Sequence, residues 1–323
     1  KGKVDQLSFT RRLFTMDGLS YVPRVAVLIV GELRNFDNKH IMVNNKKWLF
    51  DYYNTDIFVS TWTHRGASFN HGHGSSDMGF VGRRVHDYDI NDAYSAKHVK
   101  GMNIEDYDKW HKKMESEQKR IYHRGFYNNG SNILCPSTAF PQLYKLWDAN
   151  RLRLEYEKKH GVVYDVVIKI RGDLCMLEPI PVDLVSKAAD NAVYHMNPPG
   201  IYEDRRIYDI FFFGKGDVMN TIAGAYMNIM NLINNPLDTG RADVNACRLL
   251  YLQAMKNNVR VIDIEKSLGD IYRNENYGDY VSKVINVFNC NIVSTGVEGG
   301  GGVQQPKYSG AQRSFFNLSK FIR

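Results

Sequence analysis

The stretch Val25-Ala-Val-Leu-Ile-Val30, followed by Gly31, decides the fold. Six consecutive apolar residues that end at a turn residue predict a strand buried on both faces, as in a sheet covered by helices on each side. A second run, Thr55-Asp-Ile-Phe-Val-Ser-Thr-Trp62, follows a predicted helix over 40–53. A strand, a helix and a strand in this order predict a right-handed βαβ unit, and therefore an α/β fold.

The later part of the chain continues this alternation. The hydrophobic pattern predicts strands over 164–174, 191–196, 207–213 and 259–264, and helices over 137–159, 216–234 and 242–257. Residues 63–135 show weak periodicity, which predicts an inserted region of long loops and a helix over one end of the sheet. We therefore predict an N-terminal arm (1–23), a main domain (24–270) that contains the insertion, and a C-terminal extension (271–323) with a glycine-rich loop.

The charge balance favours an anionic partner. The chain of 323 residues has 42 Lys and Arg against 35 Asp and Glu, which gives a net charge of +7 and a pI near 9.0. A nucleotide, a nucleic acid or an acidic surface would each fit this balance. Because no apolar run approaches the roughly 18 residues of a membrane span and no signal-peptide core is evident, we predict a cytoplasmic protein without a transmembrane segment.

The sequence lacks the motifs of several large protein classes. There is no GxGxxG, GxxxxGK[ST], GxSxG or HExxH, which argues against Rossmann dehydrogenases, P-loop NTPases, serine hydrolases and zincins. The four cysteines are widely spread without a CxxC pair, which argues against a zinc or redox site.

Ligands of open α/β sheets bind beyond the carboxyl ends of the strands, and three predicted loops lie there. In the first loop, Gly31 allows a close turn past a ligand, and Arg34 offers a planar donor for phosphate or carboxylate. In the second, Thr61 supplies a hydroxyl and Trp62 an aromatic face for a nucleobase. A plain turn at the end of a strand would explain either loop equally well.

The third loop, Arg171-Gly-Asp173, is the most informative. It brings a carboxylate and a guanidinium to the edge of the sheet, where the carboxylate can hold a divalent cation or a sugar hydroxyl. A local ion pair is the structural alternative.

Two further acids are candidates for the site. Asp209 lies in the apolar run 207–213, where an unpaired charge is costly, so we expect it to be partnered, protonated or functional. Asp243 opens a predicted helix, where the helix dipole alone would favour an acid.

Together these segments resemble the GT-A-type nucleotide-sugar glycosyltransferases found in bacterial and viral polysaccharide loci, including those of phages and large DNA viruses. The resemblance covers about residues 24–62 and 137–264. It is carried by the order and spacing of Gly31-Glu-Leu-Arg34, Val59-Ser-Thr-Trp62, Gln142-Leu-Tyr-Lys-Leu-Trp147, Tyr156-Glu157-Lys158, Tyr164-Asp165-Val-Val-Ile168, Arg171-Gly-Asp173, Asp209-Ile-Phe-Phe-Phe-Gly214, Val218-Met219 and Asp243.

The resemblance implies a GT-A-like nucleotide-binding sheet flanked by helices, and a UDP- or GDP-linked sugar as the donor substrate. It also implies that Gly31, Arg34, Thr61 and Trp62 surround the nucleotide. Asp173 would hold the donor sugar or a divalent cation, Mn²⁺ or Mg²⁺. The family's usual Asp-x-Asp is changed here, because Arg171 stands at the first position and could itself neutralise the charge of the diphosphate.

The resemblance further implies hydroxyl attack on the anomeric carbon, with a nucleoside diphosphate as the leaving group. In an inverting transfer, Asp209 or Asp243 would deprotonate the acceptor, and Asp243 is the preferred base. The sequence leaves open whether the configuration is inverted or retained.

The expected acceptor has one alternative, and the enzyme class has another. A glycan or lipid-linked saccharide is the expected acceptor. A hydroxymethylated base in duplex phage DNA is the first alternative, favoured by the basic residues at 109–124 (Lys109, Lys112, Lys113, Lys119, Arg120 and Arg124), although interleaved acids also fit a solvated helix. The second alternative is a non-catalytic nucleic-acid-binding protein, but the acids predicted at strand ends would repel phosphates.

Overall fold

The structure is a computed structural model of the chain. It describes residues 12–15, 18–21, 23–65, 83–114, 136–196, 205–233, 245–264 and 268–271, of which 12–15, 18–21 and 136–138 are described for the backbone only. Most of the predicted N-terminal arm, the C-terminal extension from residue 272, parts of the predicted insertion and Asp243 lie outside the described residues.

The described residues form eleven strands. In chain order they are β1 (Arg12–Thr15), β2 (Gly18–Tyr21), β3 (Val25–Gly31), β4 (Asp56–Trp62), β5 (Val99–Glu105), β6 (Val166–Ile170), β7 (Leu174–Met176), β8 (Ala192–Met196), β9 (Phe211–Gly214), β10 (Arg260–Ile264) and β11 (Gly269–Ile271).

Seven of these strands form the central sheet, in the order β10-β8-β9-β6-β3-β4-β5. All neighbours are parallel except at β9, which runs antiparallel to both β6 and β8. From β3 the chain builds outward through β4 and β5, and then returns to place β6 on the other side of β3. The carboxyl ends of β3 and β6 therefore form the topological switch point, where open α/β sheets bind ligands.

The helices cover both faces of this sheet. They are α1 (Lys39–Asn45), a π-helical segment (Lys46–Phe50), α2 (Asp51–Tyr53), α3 (Asp87–Tyr94), α4 (107–114), α5 (Pro136–His160), α6 (Val182–Ser186), α7 (Gly216–Ala223), α8 (Ile229–Ile233) and α9 (Ala246–Lys256). Among the residues that the structure describes, every helix is too short or too polar to cross a lipid bilayer.

The alternation of side chains along β3 explains why its sequence is apolar throughout. Leu28 and its even-numbered neighbours pack in the core beneath α5, α7 and α9, whereas Val27 and its odd-numbered neighbours pack against α1, the π-helical segment and α3. A strand buried on both faces needs an apolar residue at every position. The predictions of an α/β fold, of the first two strands and of the helix between them are confirmed.

Three predicted elements differ from the structure. The predicted strand over 164–174 is interrupted by a turn at 171–173, and β7 beyond this turn pairs instead with β11 in a separate two-stranded sheet. The predicted helix over 216–234 is broken at 224–228. In the predicted strand over 207–213 only the last residues, from Phe211, join the sheet.

The region 63–135 contains more than the predicted loops and helix. Its described part contains α3, α4 and β5, and β5 pairs with β4 as the edge strand of the central sheet. Every residue of β5 is partly exposed, so the sequence of this edge strand lacks the continuous apolar run that identifies β3 and β4.

Candidate functional site

Three segments meet at the switch point of the sheet. Arg34 lies in the loop after β3, Arg171 and Asp173 form the turn after β6, and Asp209 lies in the turn before β9. The backbone N–H of Arg171 donates to the carbonyl oxygen of Ile210 at 3.1 Å, which fixes the two turns side by side. The structure thus brings together four of the residues predicted for the site.

Asp173 is the centre of this cluster. Its side chain is fully buried and accepts two hydrogen bonds from Arg171, from Nε to Oδ1 at 2.9 Å and from Nη2 to Oδ2 at 2.7 Å. Arg34 donates from Nη1 to the same Oδ2 at 3.3 Å and forms a second ion pair with Glu32 at 3.1 Å. Paired donors on one carboxylate are among the strongest hydrogen bonds in proteins, so Asp173 fixes both guanidinium groups.

The charge of Arg171 is also secured by its neighbours. Burial alone would lower the pKa of this guanidinium, but the carboxylates of Asp173 and Asp209 outweigh burial and raise the pKa above its ordinary value. Arg171 therefore remains a cation at any physiological pH.

A close contact between the two loops holds the cluster together. Gly172 lies against Leu33, and a Cβ atom added at Gly172 would come within 2.9 Å of the Leu33 Cα atom. The same loop turns through Gly31 and Arg34, which both have positive φ angles, of 84° and 49°. Only glycine leaves room for this approach at position 172, so the Arg-Gly-Asp sequence has a steric reason for its middle residue.

Asp209 lies in a turn, not in the middle of a strand as its apolar neighbours predicted. Burial raises the pKa of its carboxyl, but Lys169, Arg171 and Arg34 together lower it below its ordinary value. A general base works best when its pKa is near the working pH, so a carboxylate held ionised by three cations is better suited to fixing charge than to accepting a proton.

Thr61 and Trp62 point to opposite faces of β4. Thr61 is fully buried and donates its hydroxyl to the carbonyl oxygen of Gly31 at 2.7 Å, which ties the ends of β3 and β4 together. Trp62 is buried on the side of α5, where the ammonium of Lys145 lies 3.9 Å from its ring centroid. The structure thus places Thr61 at the switch point as a structural contact, and Trp62 in an aromatic core cluster.

The predicted divalent cation does not fit this arrangement. Both oxygens of Asp173 already accept hydrogen bonds from guanidinium groups. Within the described ranges, no group of three or more His, Cys, Asp and Glu side chains is arranged to hold a metal ion. A divalent cation at Asp173 would lie directly against two guanidinium groups of like charge, so we derive no chemical step through a metal.

Lys169 is a member of the cluster that the sequence analysis did not single out. It lies on β6, is only 4% exposed, and is the largest contributor among the charged groups that lower the pKa of Asp209. A charged residue inside a strand that is otherwise apolar was the signal that could have identified it.

The preferred base, Asp243, lies outside the described residues, and its role stays a prediction.

Comparison with known proteins does not identify a family for this chain. A scan against protein-family models finds no match, and a search of curated proteins finds no significantly similar sequence.

Proposed function

We propose that this protein is a GT-A-type glycosyltransferase that moves a sugar from a nucleotide-sugar donor to an acceptor hydroxyl. The observation that carries the proposal is the convergence of Arg34, Arg171, Asp173 and Asp209 at the switch point of a mostly parallel sheet. This is where α/β sheets bind nucleotides, and cations there suit a diphosphate. The order of the sequence segments that resemble this family supports the same assignment.

The proposed reaction creates negative charge at the cluster. The acceptor oxygen forms a bond to the anomeric carbon, the bond from that carbon to the diphosphate oxygen breaks, and the electron pair leaves with the nucleoside diphosphate. Cations already held in position stabilise the leaving group without reorganisation during the reaction. The proton of the acceptor hydroxyl goes to a base, for which Asp243 is the candidate.

The acceptor is proposed as a glycan or lipid-linked saccharide. The duplex-DNA acceptor rests on basic residues of which the structure describes Lys109, Lys112 and Lys113; all three are exposed on α4, beside the equally exposed Asp108. A helix surface of mixed charge gives no specific reason to prefer DNA as the acceptor. Duplex DNA is therefore included as one acceptor class in the transfer experiment.

Nucleotide binding without a metal is the first test of the proposal. We expect isothermal titration calorimetry to detect binding of UDP or GDP and of the matching nucleotide-sugar, with a dissociation constant that EDTA does not change, because Arg34 and Arg171 supply positive charge at the switch point. Addition of Mn²⁺ after EDTA should likewise leave the affinity unchanged.

Two results would count against this expectation in different ways. Failure of every nucleoside diphosphate and nucleotide-sugar to bind, with or without Mn²⁺, would remove the proposed function. Binding that EDTA abolishes would retain the transferase and remove the metal-free site.

A further inference from the structure

Lys169 is a buried cation that makes no direct polar contact with the described part of the chain. It is the next-to-last residue of β6 and 4% exposed, and its ammonium lies 5.4 Å from the centroid of the Phe212 ring. No described residue accepts a hydrogen bond from it or forms an ion pair with it. An ammonium carries three donors, so a lysine whose side chain is largely buried favours a polar or anionic partner for them.

The other two cations of the cluster form direct ion pairs with carboxylates. Arg171 donates two hydrogen bonds to Asp173, and Arg34 is paired with both Asp173 and Glu32. Their charges are thus matched by carboxylates before any ligand arrives. Of the three cations, Lys169 is the one without a direct ion pair to a described carboxylate, although the charge of Asp209 acts on it.

We propose that Lys169 binds an oxygen of the donor diphosphate, while Arg34, Arg171 and Asp173 form the rigid wall against which the diphosphate is held. This inference rests on the proposed function and names the residue that makes the direct contact with its leaving group. The ligand class is a nucleoside diphosphate, free or linked to a sugar. A direct contact between the ammonium and a phosphate oxygen would place positive charge where the leaving diphosphate gains negative charge.

The surroundings of Lys169 predict how binding depends on pH. Burial, with a smaller effect of Arg171, lowers the pKa of Lys169 to about 8 against the opposing charges of Asp209, Cys247 and Asp173. The ammonium form binds the anion, so affinity should fall as the pH rises from 7 to 9.

The neighbouring groups do not titrate in this interval. The pKa of Asp209 lies below its ordinary value, that of Arg171 above its ordinary value, and burial followed by the charge of Asp209 raises the pKa of Cys247 to about 12. A loss of affinity between pH 7 and 9 would therefore report on Lys169.

The experiment compares Lys169→Met, which keeps most of the side-chain length without the charge, with Lys169→Arg, which keeps a charge that does not titrate. Lys187→Met serves as the matched control, because Lys187 is an exposed lysine that pairs with the exposed Asp183. The ligand is the nucleotide-sugar that binds best to the wild-type protein, since its diphosphate does not change charge between pH 7 and 9. Circular dichroism confirms that each variant is folded.

We expect Lys169→Met to weaken binding about 10- to 100-fold at pH 7, the range for one charge-assisted hydrogen bond, and Lys187→Met to leave it unchanged. Lys169→Arg should bind and should lose the decline of affinity above pH 8. Wild-type affinity in Lys169→Met, or the same pH profile in Lys169→Arg and the wild type, would overturn this inference alone. If Lys169→Met does not fold, the profile of Lys169→Arg still decides. Absence of any nucleotide-sugar binding by the wild type would overturn the proposed function and this inference together.

Discussion

Replacing Asp173 with Asn is expected to lower the free energy of unfolding by about 3–5 kcal/mol, because it leaves two arginines in a buried cluster without their shared carboxylate. Asp173 is fully buried and accepts from both Arg171 and Arg34. An asparagine keeps one acceptor oxygen but places an NH₂ group against guanidinium donors. The same change should remove nucleotide binding, because the wall of the proposed diphosphate site would no longer be fixed.

Urea unfolding followed by circular dichroism measures the loss of stability. The matched control is Asp183→Asn, which makes the same chemical change at an exposed residue that pairs with an exposed lysine, and it should change the stability by less than about 0.5 kcal/mol. If the two variants unfold at the same urea concentration, the carboxylate of Asp173 does not hold the cluster together.

Replacing Gly172 with Ala is expected to destabilise the fold by about 1–3 kcal/mol through overpacking. The new Cβ atom would lie 2.9 Å from the Cα atom of Leu33 and 3.0 Å from its carbonyl oxygen, so backbone rather than a flexible side chain must move. Leu33 precedes Arg34, and the shift should therefore carry Arg34 away from Asp173 and weaken nucleotide binding as well.

Gly216→Ala provides the control for this prediction. A Cβ atom at Gly216 would lie 3.5 Å from the carbonyl oxygen of Tyr164, an ordinary contact, at the start of α7. We expect a change within about 0.5 kcal/mol, or a small gain from the better helix former. Equal urea midpoints for the two alanine variants would show that the loops at the switch point can separate without cost.

The strands that could be predicted most clearly from the sequence are those buried on both faces, because such a strand is apolar at nearly every position. β3 and β4 are such strands, and the loops after them could be located from their ends. The edge strand β5 is partly exposed throughout, so its composition resembles that of a loop. Asp209 was misplaced because Ile207 and Tyr208 are buried in an irregular segment, and burial in a loop gives the same apolar letters as a strand.

The roles of the clustered residues depend on contacts that cannot be derived from their spacing in the sequence. Arg34 and Asp173 are separated by 139 positions along the chain, yet they form one ion pair. That pairing adds a second guanidinium group to the carboxylate of Asp173, and it distinguishes the two arginines from Lys169. Candidate residues could thus be predicted from their places at strand ends, whereas their division of roles required the three-dimensional arrangement.

Transfer of a labelled sugar tests the central claim most directly. The protein is incubated with UDP- and GDP-linked sugars and with three acceptor classes: free glycans, lipid-linked saccharides and duplex DNA that contains hydroxymethylcytosine. We expect one combination of donor and acceptor to release nucleoside diphosphate in a one-to-one ratio with labelled acceptor, in the presence of EDTA. A release that never exceeds the acceptor-free background in any combination, with EDTA or with Mn²⁺, would contradict the assignment of this chain as a glycosyltransferase.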